Sequence, residues 1–213
     1  MAPMNRSQRR IAFVTTTGVG FLGAVALAAR ALRPRGDDSS PLPGDDLVPG
    51  ATIVETHQID IDAPAATIWP WLVQLGYGRG GFYSFDLLER LAGVGMTNAR
   101  RIEAQWQDLA VGDQVRLAAD AALVVARLEP ERCLVLSSDG GAAPPGAGMD
   151  FDFSWAFVLD EPGGLGSGGC RLRIRERYRP RRGATTAVVR AMRPVARLMT
   201  YGMMWGLRRR CRA

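Results

Sequence analysis

The chain has no lysine: all 27 of its basic side chains are arginine, set against 21 acidic ones. Usage so one-sided reads as a coding bias, not as a phosphate-binding patch assembled residue by residue. No zinc-finger spacing and no aromatic RNA-binding signature accompanies it. The net charge of +6 and the pI near 10.0 therefore do not point to nucleic acid; a basic surface beside anionic lipid head groups suits them better. Histidine is nearly as scarce. A single His57 excludes zinc sites built on several imidazoles, and no metal is expected. Cys133, Cys170 and Cys211 are odd in number, widely spaced and without a Cys-x-x-Cys pair, so there is no disulfide framework. Cys133 and Cys170 fall in strand-like runs and read as inert buried thiols. The glycines of Arg79-Gly80-Gly81-Phe82-Tyr83-Ser84 do not form G-x-G-x-x-G after a strand, so no dinucleotide or other cofactor is expected. Tyr83-Ser84-Phe85-Asp86 has no histidine partner, which leaves no activated serine. No internal repeat is visible.

What is present is a globular composition, 47% hydrophobic and 23% charged. It divides into an N-terminal segment (1–33), a Pro/Gly/Asp-rich linker (34–50) and one domain (51–213) of ordinary size. The uncharged run Ile11 to Ala29, flanked by arginines on both sides, is just long enough to cross a ~30 Å hydrocarbon core. It reads as a single-pass membrane anchor, with the side of the soluble domain undetermined. The competing reading is a signal peptide cut after Ala24-Val25-Ala26 or Ala26-Leu27-Ala28, which would make the domain secreted or periplasmic. With the anchor retained, the linker would hold the domain a short distance from the bilayer as a semi-extended spacer.

Within the domain, Thr52 to Ile61 alternates as a first strand. Pro64 suits the first turn of a helix over Ala65 to Leu75, because its missing N–H costs nothing there. A glycine-rich break, Gly76 to Gly81, precedes a second short helix, Tyr83 to Leu91. A short strand is expected at Ala99 to Ile102, then strands at Gln114 to Leu117, Leu123 to Leu128 and Cys133 to Ser137. Gly140 to Gly148 is a loop. Phe151 to Asp160 alternates, with Phe151, Phe153, Trp155, Phe157 and Leu159 on one face. The last strand alternates too. Leu172, Ile174, Glu176 and Tyr178 lie on its dry face, and five arginines from Arg171 to Arg179 share the other, which predicts a sheet with one wet face. Ala184 to Arg210 is a long helix. Its apolar stripe is Val188, Met192, Val195, Met199 and Met203, with Arg190, Arg193 and Arg197 opposite, and Pro194 predicts a kink or a break near Arg190.

Glu176 is the most informative polar residue. A carboxylate on a dry face must be paired, Arg79 and Arg100 being the candidates, or must have a raised pKa, and could orient a ligand or exchange protons. Arg79, in the glycine-rich turn, could clamp an anion or simply tie the loop down beside a Ser84 or Asp86 helix cap. His57 is expected at solvent or the sheet rim. The methionine and aromatic stripes read either as core or as cavity walls.

Several runs together, Trp69-Pro70-Trp71-Leu72-Val73-Gln74, Arg79-Gly80-Gly81-Phe82-Tyr83-Ser84-Phe85-Asp86, Leu42-Pro43-Gly44-Asp45, Gly112-Asp113, Ser154-Trp155-Ala156-Phe157 and Gly206-Leu207-Arg208, resemble the START-like (SRPBCC) superfamily of polyketide cyclase/dehydrase and lipid-transport proteins. The resemblance covers Leu42 to Arg210. One departure is Ala104-Gln105-Trp106-Gln107, where family members often carry Pro-Glu-x-Gln. It implies an α+β helix-grip fold: a curved antiparallel sheet wrapped around the long C-terminal helix, two short helices after the first strand, and an apolar cavity between. Such a cavity would be lined by Trp71, Tyr83, Phe153, Trp155, Phe157, Ile174 and Glu176, and from the helix by Met192, Val195, Met199 and Met203. The leading expectation is a membrane-anchored binder of a lipid, isoprenoid or polyketide. An aromatase/cyclase-like enzyme using Glu176, Tyr178 and Arg79 is the alternative, and a non-catalytic scaffold the third; the fold alone does not choose between them.

Overall fold

The computed structural model describes residues 40–84, 98–138, 150–161 and 168–212. The expected N-terminal helix at Ile11 to Ala29, the loop at Gly140 to Gly148 and all but Tyr83 and Ser84 of the expected second helix lie outside the described residues. Among the described residues no helix is long and apolar enough to cross a membrane.

The described residues hold six strands in chain order: β1 (Ile53–Ile61), β2 (Gln114–Arg116), β3 (Ala122–Glu129), β4 (Cys133–Ser137), β5 (Phe151–Asp160) and β6 (Cys170–Pro180). They form one antiparallel sheet in the order β1-β6-β5-β4-β3-β2. Helix α1 (Ala65–Val73) follows β1, and α2 (Gly183–Arg210) closes the chain. The class is α+β. The strands that alternate in the sequence are those found, because one residue in two must turn toward the same core.

Several expectations are corrected. No strand forms at Ala99 to Ile102. Its backbone instead serves the glycine-rich turn: Ala99 N–H donates to the Gly80 carbonyl (3.0 Å), and the Arg101 carbonyl accepts from Gln74 Nε2 (3.2 Å). Helix α2 runs unbroken through Pro194. The arginine face of β6 is covered over its middle, at Arg173, Arg175 and Arg177, and stays open at Arg171 and Arg179. Residues 40–50, expected to be a spacer, lie across it, burying Leu42 and Val48. Leu42 joins Cys133, Val135, Ala156 and Val158 in a small second core. Arg175 donates to Asp45 Oδ2 (2.7 Å) and the Ser40 carbonyl (2.9 Å), Arg177 to the Val48 carbonyl (3.3 Å) and Arg179 to the Pro49 carbonyl (3.0 Å). A guanidinium with five donors and a long apolar stem can be covered in this way without losing its partners. Alternation placed these side chains on the correct face, but it could not show that the chain returns to cover that face.

The main core lies between the opposite face of the sheet and the two helices. It joins Ile68, Leu72 and Leu75 to Leu134, Phe157, Leu172 and Ile174, and to Met203, Met204 and Leu207 of α2. At Gly206 the helix presses against the carbonyl oxygen of Tyr83 so closely that a Cβ would collide with it. Only glycine permits that approach.

Candidate functional site

The helix-facing side of β1 carries Ile53, Glu55, His57 and Ile61, all buried. Period-2 alternation alone selects this set, so the expectation that His57 faces solvent is corrected: it is 2% exposed. The polar sequence neighbours that suggested the rim, Thr56 and Gln58, point the other way.

Register then brings two carboxylates together. Glu55 of β1 stands opposite Glu176 of β6, which stands opposite Trp155 of β5; one step along, His57, Ile174 and Phe157 form the next row. Like charges directly opposite one another are unfavourable, and the structure treats the two acids differently. Glu55 is neutralised by α2: Arg193 Nε donates to Oε1, and Arg197 donates from Nε (3.1 Å) and Nη2 (2.7 Å) to Oε2. Arg193 and Arg197 therefore face the sheet and not the outer side of the helix, another correction. The attraction of a buried carboxylate outweighs the usual placement of arginine in water.

Glu176 has no ion-pair partner among the described residues. It accepts hydrogen bonds from Tyr178 Oη (2.7 Å) and Thr200 Oγ1 (2.8 Å). Burial pushes its pKa above the usual carboxylate range, against the pull of those two hydroxyls and of Arg197; the nearby Glu55 pushes it the same way as burial. The salt bridge to Arg79 or Arg100 considered above does not form. Tyr178 is pushed up by burial, by the Glu176 charge beside it and by the hydrogen bond it donates there. His57 is held to about 4 by burial, which outweighs the pull of Glu55, so the imidazole is neutral at physiological pH. Its Nε2 lies 3.7 Å from Glu55 Oε2.

These groups form the floor of a cavity of about 160 Å³ between the first half of α2 and the β1–β6–β5 end of the sheet. It is lined by Glu55, His57, Phe151, Glu176, Tyr178, Val188, Val189, Met192, Arg193, Ala196 and Arg197. Val188 and Met192 are largely exposed and mark its mouth. Of the residues expected at a ligand site, Glu176, Tyr178 and Met192 are in this lining, and the others are not. Phe153 lies against Tyr178 with ring centroids 4.6 Å apart, while Phe157, Ile174 and Met203 are interior core. Trp155 packs between Phe82 and Phe157, and Val195 and Met199 are half-buried on α2.

Trp71 and Tyr83 belong to the other end of the molecule. Tyr83 Oη donates to the Trp71 carbonyl (2.9 Å), and the Arg210 guanidinium sits 4.6 Å over the Tyr83 ring. Arg79 donates to the carbonyls of Val73 (3.3 Å) and Trp106 (2.9 Å), with burial lowering its pKa. It ties the glycine-rich turn to its neighbours and does not converge with Glu176 and Tyr178. Sequence reasoning missed Glu55, Arg193, Arg197 and Thr200. For Glu55 the signal was there, in the alternation that joins it to Ile53 and Ile61. Among the described residues no group of acidic, histidine and cysteine side chains gathers to hold a metal.

No protein-family model and no curated protein matches the chain. Solved structures of low likeness do. One is protein MLL2253 from Mesorhizobium loti, 17% identical over 74% of this chain and 96% of that one, with a TM-score of 0.40. Another is CalU16 from Micromonospora echinospora, 15% identical over 75% and 83%, with a TM-score of 0.35. A third is norcoclaurine synthase from Thalictrum flavum in complex with dopamine and hydroxybenzaldehyde, 11% identical over 83% and 95%, with a TM-score of 0.40. The architecture rests on the strand order and helix placement given above.

Proposed function

We propose that this chain is a START-like, helix-grip protein that binds a compact hydrophobic molecule between its sheet and the first half of α2. The observation that carries the reading is the cavity itself. Phe151, Val188, Val189, Met192 and Ala196 supply apolar walls, and Glu55, His57, Glu176 and Tyr178 supply a few convergent polar groups, the composition typical of small-molecule sites. The volume is below the usual range for drug-sized ligands, roughly 300–1,000 Å³. The ligand therefore either is small or inserts one end and leaves the rest at the exposed mouth by Val188 and Met192. An anchor at Ile11 to Ala29, if retained, would set that mouth beside a reservoir of apolar ligands.

Native mass spectrometry of the purified full chain, followed by solvent extraction, tests this directly. We expect a near-stoichiometric apolar adduct, and the polypeptide mass also tells a retained anchor from a cleaved signal. A bare protein mass that fails to shift with a lipid and polyketide panel would remove the binding reading and promote the scaffold.

The second reading, a cyclase-like enzyme, is favoured by one contact. Tyr178 and Glu176 meet at 2.7 Å in the cavity floor, and a carboxyl whose pKa is raised by burial is suited to general acid work. Arg79 has no part in it. On that reading Glu176→Gln abolishes turnover while ligand still binds; a carrier keeps its full transfer activity after the same change.

A further inference from the structure

His57 in the cavity floor and Tyr201, packed against it outside the lining, each carry a polar atom with no hydrogen-bond partner among the described residues. His57 lines the cavity and is 2% exposed. Its Nε2 faces Glu55, so the neutral ring carries its hydrogen there and leaves Nδ1 as an acceptor. Nδ1 has no hydrogen-bond partner among the described residues. Tyr201, whose ring stands edge-on to the imidazole with centroids 5.2 Å apart, has an equally unpartnered hydroxyl and is 8% exposed. An unpaired acceptor on a residue of the cavity floor is the complement of a hydroxyl group, which has a hydrogen to give. Every other polar floor group is engaged: Glu55 by two arginines, Glu176 by two hydroxyls.

Charge narrows the class further. Two glutamates and two arginines line the cavity, and both arginines are taken up by Glu55. No uncommitted cation waits for a carboxylate, and no exposed anion for an ammonium group. Size narrows it again, since an engineered apolar cavity of about 150 Å³ holds one benzene ring.

Resting on the reading of this cavity as a ligand site, we propose that its ligand is uncharged, inserts a group about one aromatic ring in size, and donates a hydroxyl hydrogen to Nδ1 of His57. His57 is thereby the residue that sets specificity for a hydroxylated end over a purely hydrocarbon one.

The test compares p-cresol with its near-isostere p-xylene on the full chain. The methyl resonances of Val189 and Met192 report binding. Because the chain has one histidine, the imidazole ¹⁵N resonances report the hydrogen bond without ambiguity. We expect both compounds to perturb the methyls and p-cresol to bind at least tenfold more tightly. Only p-cresol should shift the Nδ1 resonance. His57→Leu should erase the tenfold preference while keeping p-xylene affinity. Should that variant fail to fold, the Nδ1 shift in the unaltered chain decides alone. Equal affinities with an unmoved Nδ1 would overturn the hydroxyl inference and leave the apolar-cavity reading standing. If neither compound perturbs the methyls, the cavity reading fails and this inference falls with it.

Discussion

From Thr200 to Leu207 the C-terminal helix is pressed onto the sheet and the first helix; from Val188 to Arg197 the same helix stands off it. In the second half Thr200, Met203, Met204 and Leu207 are each at most 3% exposed, and Gly206 brings the two backbones together against Tyr83. In the first half Val188 and Met192 are more than half exposed, and the link to the sheet is polar, through Arg193 and Arg197 to Glu55. The difference is one of side-chain length. Small and apolar side chains let a helix settle to packing distance, whereas two arginines reaching a carboxylate hold it away by the length of their stems. Val189, 8% exposed, and the half-buried Ala196 are the short side chains that this half puts into the lining, and the space they leave unfilled is the cavity. A well-packed interior tolerates no such gap, so the polar half of the helix is where the fold gives up packing to make room.

The strongest way to break this contrast is to spoil the tight half. Gly206→Val places a branched side chain against the Tyr83 carbonyl, a backbone atom that cannot turn aside, and should cost about 3 kcal/mol or more. Denaturant unfolding would show it as a lower midpoint with unchanged slope. A matched pair of truncations sharpens the contrast. Leu207→Ala removes a side chain that is 0% exposed and should cost about 2–5 kcal/mol. Met192→Ala, at 54% exposure, should stay within about 0.5 kcal/mol. Equal costs in the same unfolding assay would mean that the first half is packed as tightly as the second, and the cavity reading would lose its basis.

Much of this was legible in the sequence. Alternation located β1, β5 and β6 and put Glu176 and Tyr178 on the buried face, because strand period is a local property. The grouping of Glu55 with Glu176 was not legible, since it depends on the register between strands more than a hundred residues apart in sequence. The inward turn of Arg193 and Arg197 was hidden for a related reason. A helical wheel ranks arginine as outward, and only the position of Glu55 reverses that. The covered arginine face of β6 failed in the opposite direction: residues 40–50 read as linker by composition, yet Leu42 and Val48 give them just enough apolar area to dock. The stripe expected on α2 divides between two environments for the same cause. One period of apolar residues served core at Met203 and cavity mouth at Met192, and nothing in the spacing says where a helix leaves its sheet.

The pH-dependent effects, small near neutral pH, are the most specific to the polar half, and they come with opposite signs. His57 has a folded-state pKa of about 4 against an ordinary 6.5. As pH falls from about 6.5 toward 4, the unfolded chain takes up a proton that the fold refuses, so stability falls with pH across that window. The full effect would approach about 3 kcal/mol by pH 4. Glu176, with its pKa raised by burial, acts the other way. Above its unfolded value near 4.5 the unfolded chain gives up a proton that the fold retains, so this group costs stability as pH rises. Unfolding midpoints of the full chain between pH 4 and pH 8 should separate the two. His57→Phe should flatten the acid slope. Glu176→Gln, which keeps an acceptor for one of the Tyr178 and Thr200 hydroxyls and offers an N–H to the other, should gain on the unaltered chain as pH rises above 4.5. Asp60 and Asp152, whose arginine partners lower their pKa values, add a slope of the same sign near pH 4, so the window that decides is about pH 6.5 to 5. A slope there that His57→Phe leaves unchanged would mean the imidazole is not held neutral, and the polar floor would then be wetter than its burial implies.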